Sequence, residues 1–331
     1  MARIKVGLIG CGKITQVSHA PAFAAMPGKV TVTGITDLNL KAAKALNKDH
    51  GLNATIYKTV DELLASGIDA VVISTPNTFH APLTIQALKS GIHVLVEKPM
   101  AVSFTEADAM IREAKKRKKI LQVNQSFRYD PPHVKVKELI DAGTIGDIIH
   151  MRCIRAGANS PDKGWSPGAK WFVQSKFRGG LIMDIAVHLA DYMGWCCGKA
   201  KTVYALNKTR IKGNDVPDNV TTLFDFESGA TGVLELSWTL PVGAGSTEIY
   251  GTKGSIFMGD DKPGIQLVLT GKKAKIVKAK KVPTSHQCFV DAINGKASTP
   301  VPGEVGRHAL AYCLAIEDSG KSGKAVKVKL K

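Results

Sequence analysis

The sequence predicts an α/β domain built on a mostly parallel sheet, followed by an α+β domain dominated by an antiparallel or mixed sheet. Three observations carry this expectation. Short β-branched runs alternate with helical patterns up to residue 123, the grammar of a parallel sheet covered on both faces. Beyond Asn124 the alternation gives way to closely spaced strands and turns, as in sheets whose neighbouring strands run in opposite directions. The first strand also runs directly into Gly10-Cys11-Gly12, a pair of turn-forming glycines where a phosphate-binding loop belongs.

In the first domain, residues 1–123, strands are predicted over 4–9, 30–36, 70–74, 93–97 and 120–123, with a shorter one at 54–57. Helical periodicity covers 40–48, 60–65, 81–90 and 103–118. The last opens on Ser103 with Glu106 three residues on, a capping-box spacing that satisfies exposed amide donors. Right-handed crossovers place the loops that follow the strands along one edge. The second domain, residues 124–331, is expected to hold helices at 134–142, 181–192, 285–294 and 305–318. Its strands are predicted at 148–154, 203–206, 220–225, 231–237, 246–250, 255–258 and 265–269. No long linker separates the two parts, so an extensive contact is expected, with a cleft above the carboxyl ends of the first domain's strands. The lysine-rich stretch 272–281 reads as an exposed strand edge or hairpin, where lysines discourage association.

At 331 residues and 44% hydrophobic composition the chain can bury substantial cores. Its net charge of +17 makes a positive field that favours anionic ligands or solubility. The block Lys115-Lys116-Arg117-Lys118-Lys119 resembles a nucleic-acid patch as a bare pattern, but it also suits the C-terminus of a solvated helix. No interleaved aromatics or zinc-finger spacing accompany it, so no specific nucleic-acid partner is expected. Six cysteines without C-x-x-C spacing point to reduced thiols and a cytoplasmic location. No run of eighteen apolar residues occurs and no apolar leader follows Met1, so neither a membrane partner nor secretion is expected.

The glycine loop lets the backbone approach a pyrophosphate, whose charge would meet amides of Gly10, Cys11, Gly12, Lys13 and Ile14 at the following helix start. Thr15 stands where a third small residue is usual; its hydroxyl suits either a backbone or a phosphate contact, and its β-branch hinders close helix-strand approach. Asp37 ends the second strand, 25 residues after Gly12. A carboxylate there binds ribose hydroxyls and repels a 2′-phosphate, which favours NAD over NADP. The competing role for Asp37 is that of a turn or helix-capping acid, and Lys41 keeps NADP open. Ser74, Thr75, Pro76 and Asn77 follow another strand and either line the cofactor or simply terminate that strand.

Lys98 follows an apolar strand and precedes Pro99. An ammonium at such a strand end can stabilise charge on a substrate oxygen. Glu97 either orients Lys98 or ends the strand. Asp184 and His188, four residues apart, share one helical face, with Asp191 next round on the same side. Gly179 and Gly180 can bring that helix start close to a ligand. His188 suits proton exchange and Asp184 the binding of a hydroxyl; no further ligand cluster completes a metal site, so no metal is expected.

These motifs together resemble the Gfo/Idh/MocA oxidoreductases: Gly7 to Gly12, Thr75-Pro76-Asn77 with His80, Glu97-Lys98-Pro99, Gly179 to Asp184, and His188 to Asp191. The resemblance runs through nearly the whole chain. Ala186 departs from it where the family commonly has glycine, as does Thr15 in the loop. It implies a Rossmann dinucleotide-binding domain and a second α+β domain with a large, open-faced, predominantly antiparallel mixed sheet. It also implies a cis peptide before Pro99, a Lys98/Asp184/His188 catalytic trio, cofactor contacts that include His80, Glu97 and Lys98, and assembly as a homodimer or homotetramer.

The reaction so implied is reversible oxidation of a secondary hydroxyl on a sugar, sugar derivative or cyclitol to a ketone. Substrate contacts are expected from Lys98, Asp184, His188, Asn124, Arg128, Tyr129, Asn159, Trp165, Lys170 and Trp171. A tryptophan can cover a sugar face and a cation can bind an oxygen; the competing roles are hydrophobic anchoring for Trp165 and Trp171 and interdomain pairing for Arg128. Two other functions fit the same residues: an NAD-dependent glycosidase using transient oxidation, and a non-enzymatic NAD(P)-binding regulatory or interaction protein.

Overall fold

The computed structural model describes residues 3–260 and 262–330. They divide into two compact units: one runs to Gln125 and takes back Pro283–Arg307, and the other holds Ser126–Val282 and the chain from His308 on.

The first unit contains β1 (Ile4–Ile9), β2 (Val30–Thr36), β3 (Thr55–Ile56), β4 (Ala70–Ile73), β5 (His93–Val96) and β6 (Leu121–Val123). All pair in parallel, in the order β3-β2-β1-β4-β5-β6. Between them lie α1 (Ala20–Ala24), α2 (Leu40–Asp49), α3 (Val60–Leu64), α4 (His80–Lys89) and α5 (Phe104–Arg117). The central strands explain the continuous apolar runs: every residue of β4 is fully buried, as a strand covered on both faces must be. The chain builds outward from β1 to β3, then returns to β4 beside β1, so strand order reverses there, where open α/β sheets place their ligands.

Helix ends follow their sequence signals in part. At α5, Ser103 accepts the Glu106 amide at 3.3 Å, but the Glu106 carboxylate reaches the amide of Val102 rather than that of Ser103. The reciprocal box forms instead at α3, between Thr59 and Glu62. The basic block closes α5: Lys115 pairs with Glu304 at 2.7 Å, Arg117 with Glu113 at 2.8 Å, and Lys118 takes the left-handed conformation that ends the helix.

The second unit contains α6 (Pro131–Asp141), β7 (Ile148–Ala156) and α7 (Val187–Cys197), then β8 (Ala200–Lys208), β9 (Asn219–Phe226), β10 (Thr231–Ser237), β11 (Ala244–Gly251), β12 (Gly254–Gly259), β13 (Lys262–Leu269) and β14 (Lys275–Val277). Near the C-terminus follow α8 (Ser285–Ile293), α9 (Gly303–Ser322) and β15 (Val326–Lys327). Nine strands form one sheet, ordered β14-β13-β12-β11-β7-β10-β9-β8-β15; β7 and β10 are parallel and the other pairs antiparallel. The lysine-rich stretch thus supplies an edge strand, β14.

One face of this sheet is buried through Val203, Val220, Phe224, Leu234, Ile249 and Ile256. A side chain at Gly232 would meet the Met193 methyl at 2.5 Å, which shows how closely α7 lies on β10. The opposite face is uncovered. A cross-strand row of Tyr204, Leu223, Val233, Arg152, Glu248 and Phe257 crosses it, with Leu223 51% exposed. The helix expected from residue 181 begins as a π-helical turn over Ile182–Ala186 before α7.

Pro283–Arg307 corrects the division drawn from sequence, which gave everything beyond residue 123 to the second domain. Phe289 and Val290 of α8 are fully buried in the same cluster as Leu8, Phe23 and Leu95. Burial of each such side chain is worth about 1.5–3 kcal/mol. Gln122 of β6 also donates to the Ser285 carbonyl at 2.8 Å and accepts from Thr299 at 2.7 Å. Apolar burial and hydrogen bonding therefore both assign the segment to the first unit.

One buried and one half-buried imidazole make the first unit acid-sensitive. Burial pushes His286 from 6.5 down to about 3 and His93 down to about 4. Between those values and 6.5 the unfolded chain binds the protons that the folded one refuses, so their contribution is full above 6.5 and drains away as pH falls toward 3. Melting temperatures measured from pH 8 to pH 4 should decline below about 6.5. His286→Gln should flatten that decline; an unchanged slope would contradict the assignment.

Candidate active site

The glycine loop is held by contacts that the spacing did not disclose. Gly10 has φ +95°, and a Cβ there would come within 2.6 Å of the Ser74 carbonyl oxygen, so only glycine fits. A Cβ at Gly12 would meet nothing within 4 Å, which leaves its backbone open to a ligand. Thr15 is buried, and its hydroxyl lies 2.7 Å from the Gly10 carbonyl and 2.6 Å from the Ser74 hydroxyl. Of the two contacts open to its oxygen, the backbone one is made. The chain continues from it as a π-helical turn over Thr15–His19. Burial and the Asp37 charge push the Cys11 thiol up to about 12, so it stays protonated.

Asp37 closes the loop from β2. Its carboxylate accepts the Cys11 amide at 2.7 Å and the Asn39 amide at 2.7 Å. Asn39, not Asp37, caps α2 by accepting from Lys41 and Ala42. Each carboxylate oxygen keeps lone-pair capacity beyond one amide, so the acid remains able to receive ribose hydroxyls. Lys13 and Ile14 are partly exposed at the start of this helix. After β4, Ser74 is tied to the Gly10 carbonyl at 3.1 Å, while the Thr75 hydroxyl is buried without a hydrogen-bond partner. Asn77 is buried and Pro76 partly exposed. His80 lies between two carbonyls, with Nδ1 2.8 Å from that of Pro99 and Nε2 2.8 Å from that of Thr75. Burial pushes its pKa below the ordinary value. His80 thus links the loop after β4 to the loop after β5.

Lys98 follows β5 across a cis bond to Pro99 and is partly exposed. Glu97 is buried, and its contact with Lys98 comes through the backbone: Oε2 accepts the Lys98 amide at 3.2 Å. Oε1 accepts from Asn124 Nδ2 at 2.6 Å and from His19 Nε2 at 3.0 Å. Against burial, these bonds and the charges of His19 and Lys98 hold the carboxyl down at about 2. Asn124, expected at the substrate, therefore commits its amide nitrogen to Glu97. Beside it, Gln125 is buried with both amide atoms unpartnered.

In the second unit, Asp184 lies in the π-helical turn and His188 in the first turn of α7, both partly exposed. The His188 ring is 5.5 Å from that of Phe127, which stacks on His133 at 4.0 Å. Gly179 and Gly180 are required by their backbone surroundings. A Cβ at Gly179 would strike the Phe172 and Trp171 carbonyl oxygens at 2.4 and 2.5 Å, and Gly180 has φ +102° beneath Val216.

The Arg128 guanidinium makes a bidentate pair with buried Asp191 at 2.8 and 2.9 Å and lies 5.0 Å from the Trp195 ring centre. This pair lies within the second unit, so it is not the interdomain pairing weighed for Arg128. Tyr129 is buried, Lys170 pairs with Asp162 at 3.1 Å, and Trp171 stacks on Phe172 at 3.8 Å, while Asn159 and Trp165 stand exposed. Among the described residues no group of His, Cys, Asp and Glu is placed to hold a metal ion.

Comparison with known proteins covers both units. Residues 4–125 match the family model described as an oxidoreductase family with an NAD-binding Rossmann fold, and residues 133–257 match the GFO/IDH/MocA C-terminal domain. The chain is 30% identical over 263 residues to the rhizopine catabolism protein MocA of Rhizobium meliloti, covering 77% of this chain and 78% of that protein. It is 29% identical to the NAD⁺-dependent scyllo-inositol 2-dehydrogenase of Bacillus subtilis, covering 78% and 74%. The WlbA dehydrogenase of Bordetella pertussis, solved with NADH and UDP-GlcNAcA, superposes with a TM-score of 0.90 at 25% identity over 100% of each chain. The sheet order, the loop that Asp37 closes and both matching halves lead to one conclusion: the chain belongs to the GFO/IDH/MocA family of NAD-binding oxidoreductases.

Proposed function

We propose that the protein reversibly oxidises a secondary hydroxyl of a sugar, sugar derivative or cyclitol to the ketone, with NAD preferred to NADP, and that Lys98, Asp184 and His188 carry the chemistry. It is an NAD(P)-dependent oxidoreductase acting on sugar-type hydroxyls. One observation carries the assignment of Lys98: β1 and β5 are parallel members of one sheet, so Lys98 leaves it at the same edge as Gly10–Gly12.

The bound nicotinamide supplies the acceptor for the hydrogen and electron pair that leave the alcohol carbon. The open backbone at Gly12 and the carboxylate of Asp37 fit the pyrophosphate and ribose of such a cofactor. In this reading the Lys98 ammonium stabilises the oxygen as negative charge develops on it, His188 takes the hydroxyl proton, and Asp184 orients a neighbouring hydroxyl. Trp165 and Asn159 are exposed and suited to a sugar face and a sugar hydroxyl. Asn124 acts through Glu97, and Arg128 braces α7 through Asp191. The relatives named above, one using NAD⁺ and another solved with NADH, support NAD as the cofactor.

A second copy of the chain is the proposed partner, seated on the uncovered sheet face around Tyr204, Leu206 and Leu223. All six thiols are free, which suits a reducing cytoplasm, and among the described residues no helix is long and apolar enough to cross a membrane.

An NAD and NADP reduction screen across sugars, sugar acids and inositols tests the activity. Lys98→Ala and His188→Ala should each lower kcat by about 10²–10⁴-fold while NAD affinity changes little; wild-type turnover in either variant would refute its assigned role. Asp37→Asn keeps an acceptor for one of the two loop amides and removes the charge. It should shift the kcat/KM ratio toward NADP by about tenfold. Leu223→Lys should lower the oligomeric state seen by light scattering, and unchanged assembly would exclude that face.

A further inference from the structure

A chain of buried titratable groups behind Lys98 has no part in the chemistry described so far. It starts at the Glu97 carboxylate, whose Oε1 lies 3.0 Å from His19 Nε2, and continues from His19 Nδ1 to His286 Nε2 at 2.8 Å. The three residues are 6%, 0% and 4% exposed. They come from separate segments: the end of β5, the π-helical turn after the glycine loop, and the first turn of α8. The Phe23 ring stands edge-on to His286 at 5.0 Å and closes the far side. The two rings bond nitrogen to nitrogen, so no ion sits between them.

A structural tie alone accounts poorly for this arrangement. Burying a carboxylate with two imidazoles carries a desolvation cost that packed apolar side chains would avoid. Where the chain leads is more informative: the second oxygen of Glu97 accepts the backbone amide of Lys98, and the Lys98 charge acts on the same carboxylate.

The donors can be worked out. A carboxylate only accepts, so His19 Nε2 carries a proton. With Nε2 as donor, His19 Nδ1 can accept from His286 Nε2, and that bond makes the Nε2–H a stronger donor to the carboxylate that Lys98 also faces. The groups facing this link are Glu97, Lys98 and neutral Asn124. On α8, Gln287 engages Lys29 and Asp291.

We propose that His19 and His286 are positioning residues for the oxidation: through Glu97 they fix the backbone of Lys98 and govern how strongly its ammonium is held. The proposal rests on the role assigned to Lys98, and its test is separable from that role. Competitive labelling of the full chain with acetic anhydride across pH, read by peptide mass spectrometry, follows the Lys98 amine without substrate or cofactor. Removing His286 Nε2 takes away the bond that polarises His19, so the Nε2–H offsets the Glu97 charge less and the carboxylate acts on Lys98 more strongly. His286→Phe and His19→Gln should therefore move the Lys98 labelling curve to higher pH by about half a unit or more. His286→Gln, whose amide nitrogen can still donate to His19 Nδ1, should stay near wild type. The basic limb of kcat/KM should move with the labelling curve.

Unmoved labelling in folded His286→Phe, with only a lower melting temperature, would overturn the proposal and leave the chain as a structural tie. So would a shift in His286→Gln equal to that in His286→Phe. Should His19→Gln fail to fold, the two His286 variants decide the matter. If Lys98→Ala retained turnover while the labelling shifts appeared, the catalytic reading would fall and the coupling would stand.

Discussion

Because every strand of the six-stranded sheet runs the same way, each loop that follows a strand leaves at one edge, and the chemistry of the first unit depends on that constraint. Gly10–Gly12, Asp37, Ser74–Asn77, Lys98 and Asn124 are distant in sequence, yet all follow strands of one parallel sheet. Their positions are then locked by cross-loop hydrogen bonds rather than by the loops themselves. Asp37 holds the Cys11 amide, Thr15 and Ser74 grip the Gly10 carbonyl, His80 spans Thr75 and Pro99, and Glu97 joins Asn124 to Lys98. A backbone arranged in this way before a ligand arrives loses little entropy on binding it.

The second unit solves a different problem. Its mixed sheet buries one face and leaves the other uncovered, and the start of α7 carries the residues assigned to proton transfer and substrate orientation. That helix is braced by the pair between half-buried Arg128 and buried Asp191. Such a pair contributes less to stability than to uniqueness: removing Arg128 would leave the Asp191 charge buried and uncompensated. Gly179, Gly180 and Gly232 serve the same end, since each permits an approach that a side chain would block.

Much of this was legible because local pattern and tertiary environment agree. The all-apolar run of β4 can only be a strand buried on both faces, and Lys98 and Pro99 announce a loop at the end of another. What stayed hidden depends on partners far away. His19 looks like one polar residue in the small, apolar stretch before Phe23; its partners Glu97 and His286 lie 78 and 267 residues further on. Arg128 and Asp191 are 63 apart, so Arg128 reads from sequence as an available cation. The π-helical turns at Thr15–His19 and Ile182–Ala186 carry ordinary helix formers, and nothing in such composition signals a widened turn. Ser103 and Thr59 share one spacing to a glutamate, and only the local backbone decides which completes a reciprocal box.

The return of Pro283–Arg307 to the first unit reaches into biosynthesis. When the ribosome has delivered β6, every strand of the parallel sheet exists, but the slot that Phe289 and Val290 fill is still open and apolar. The N-terminal domain is thus among the last parts to be completed, after the whole eight-strand run from β7 to β14 has emerged. A nascent chain stalled before α8 would present that open slot to chaperones or proteases.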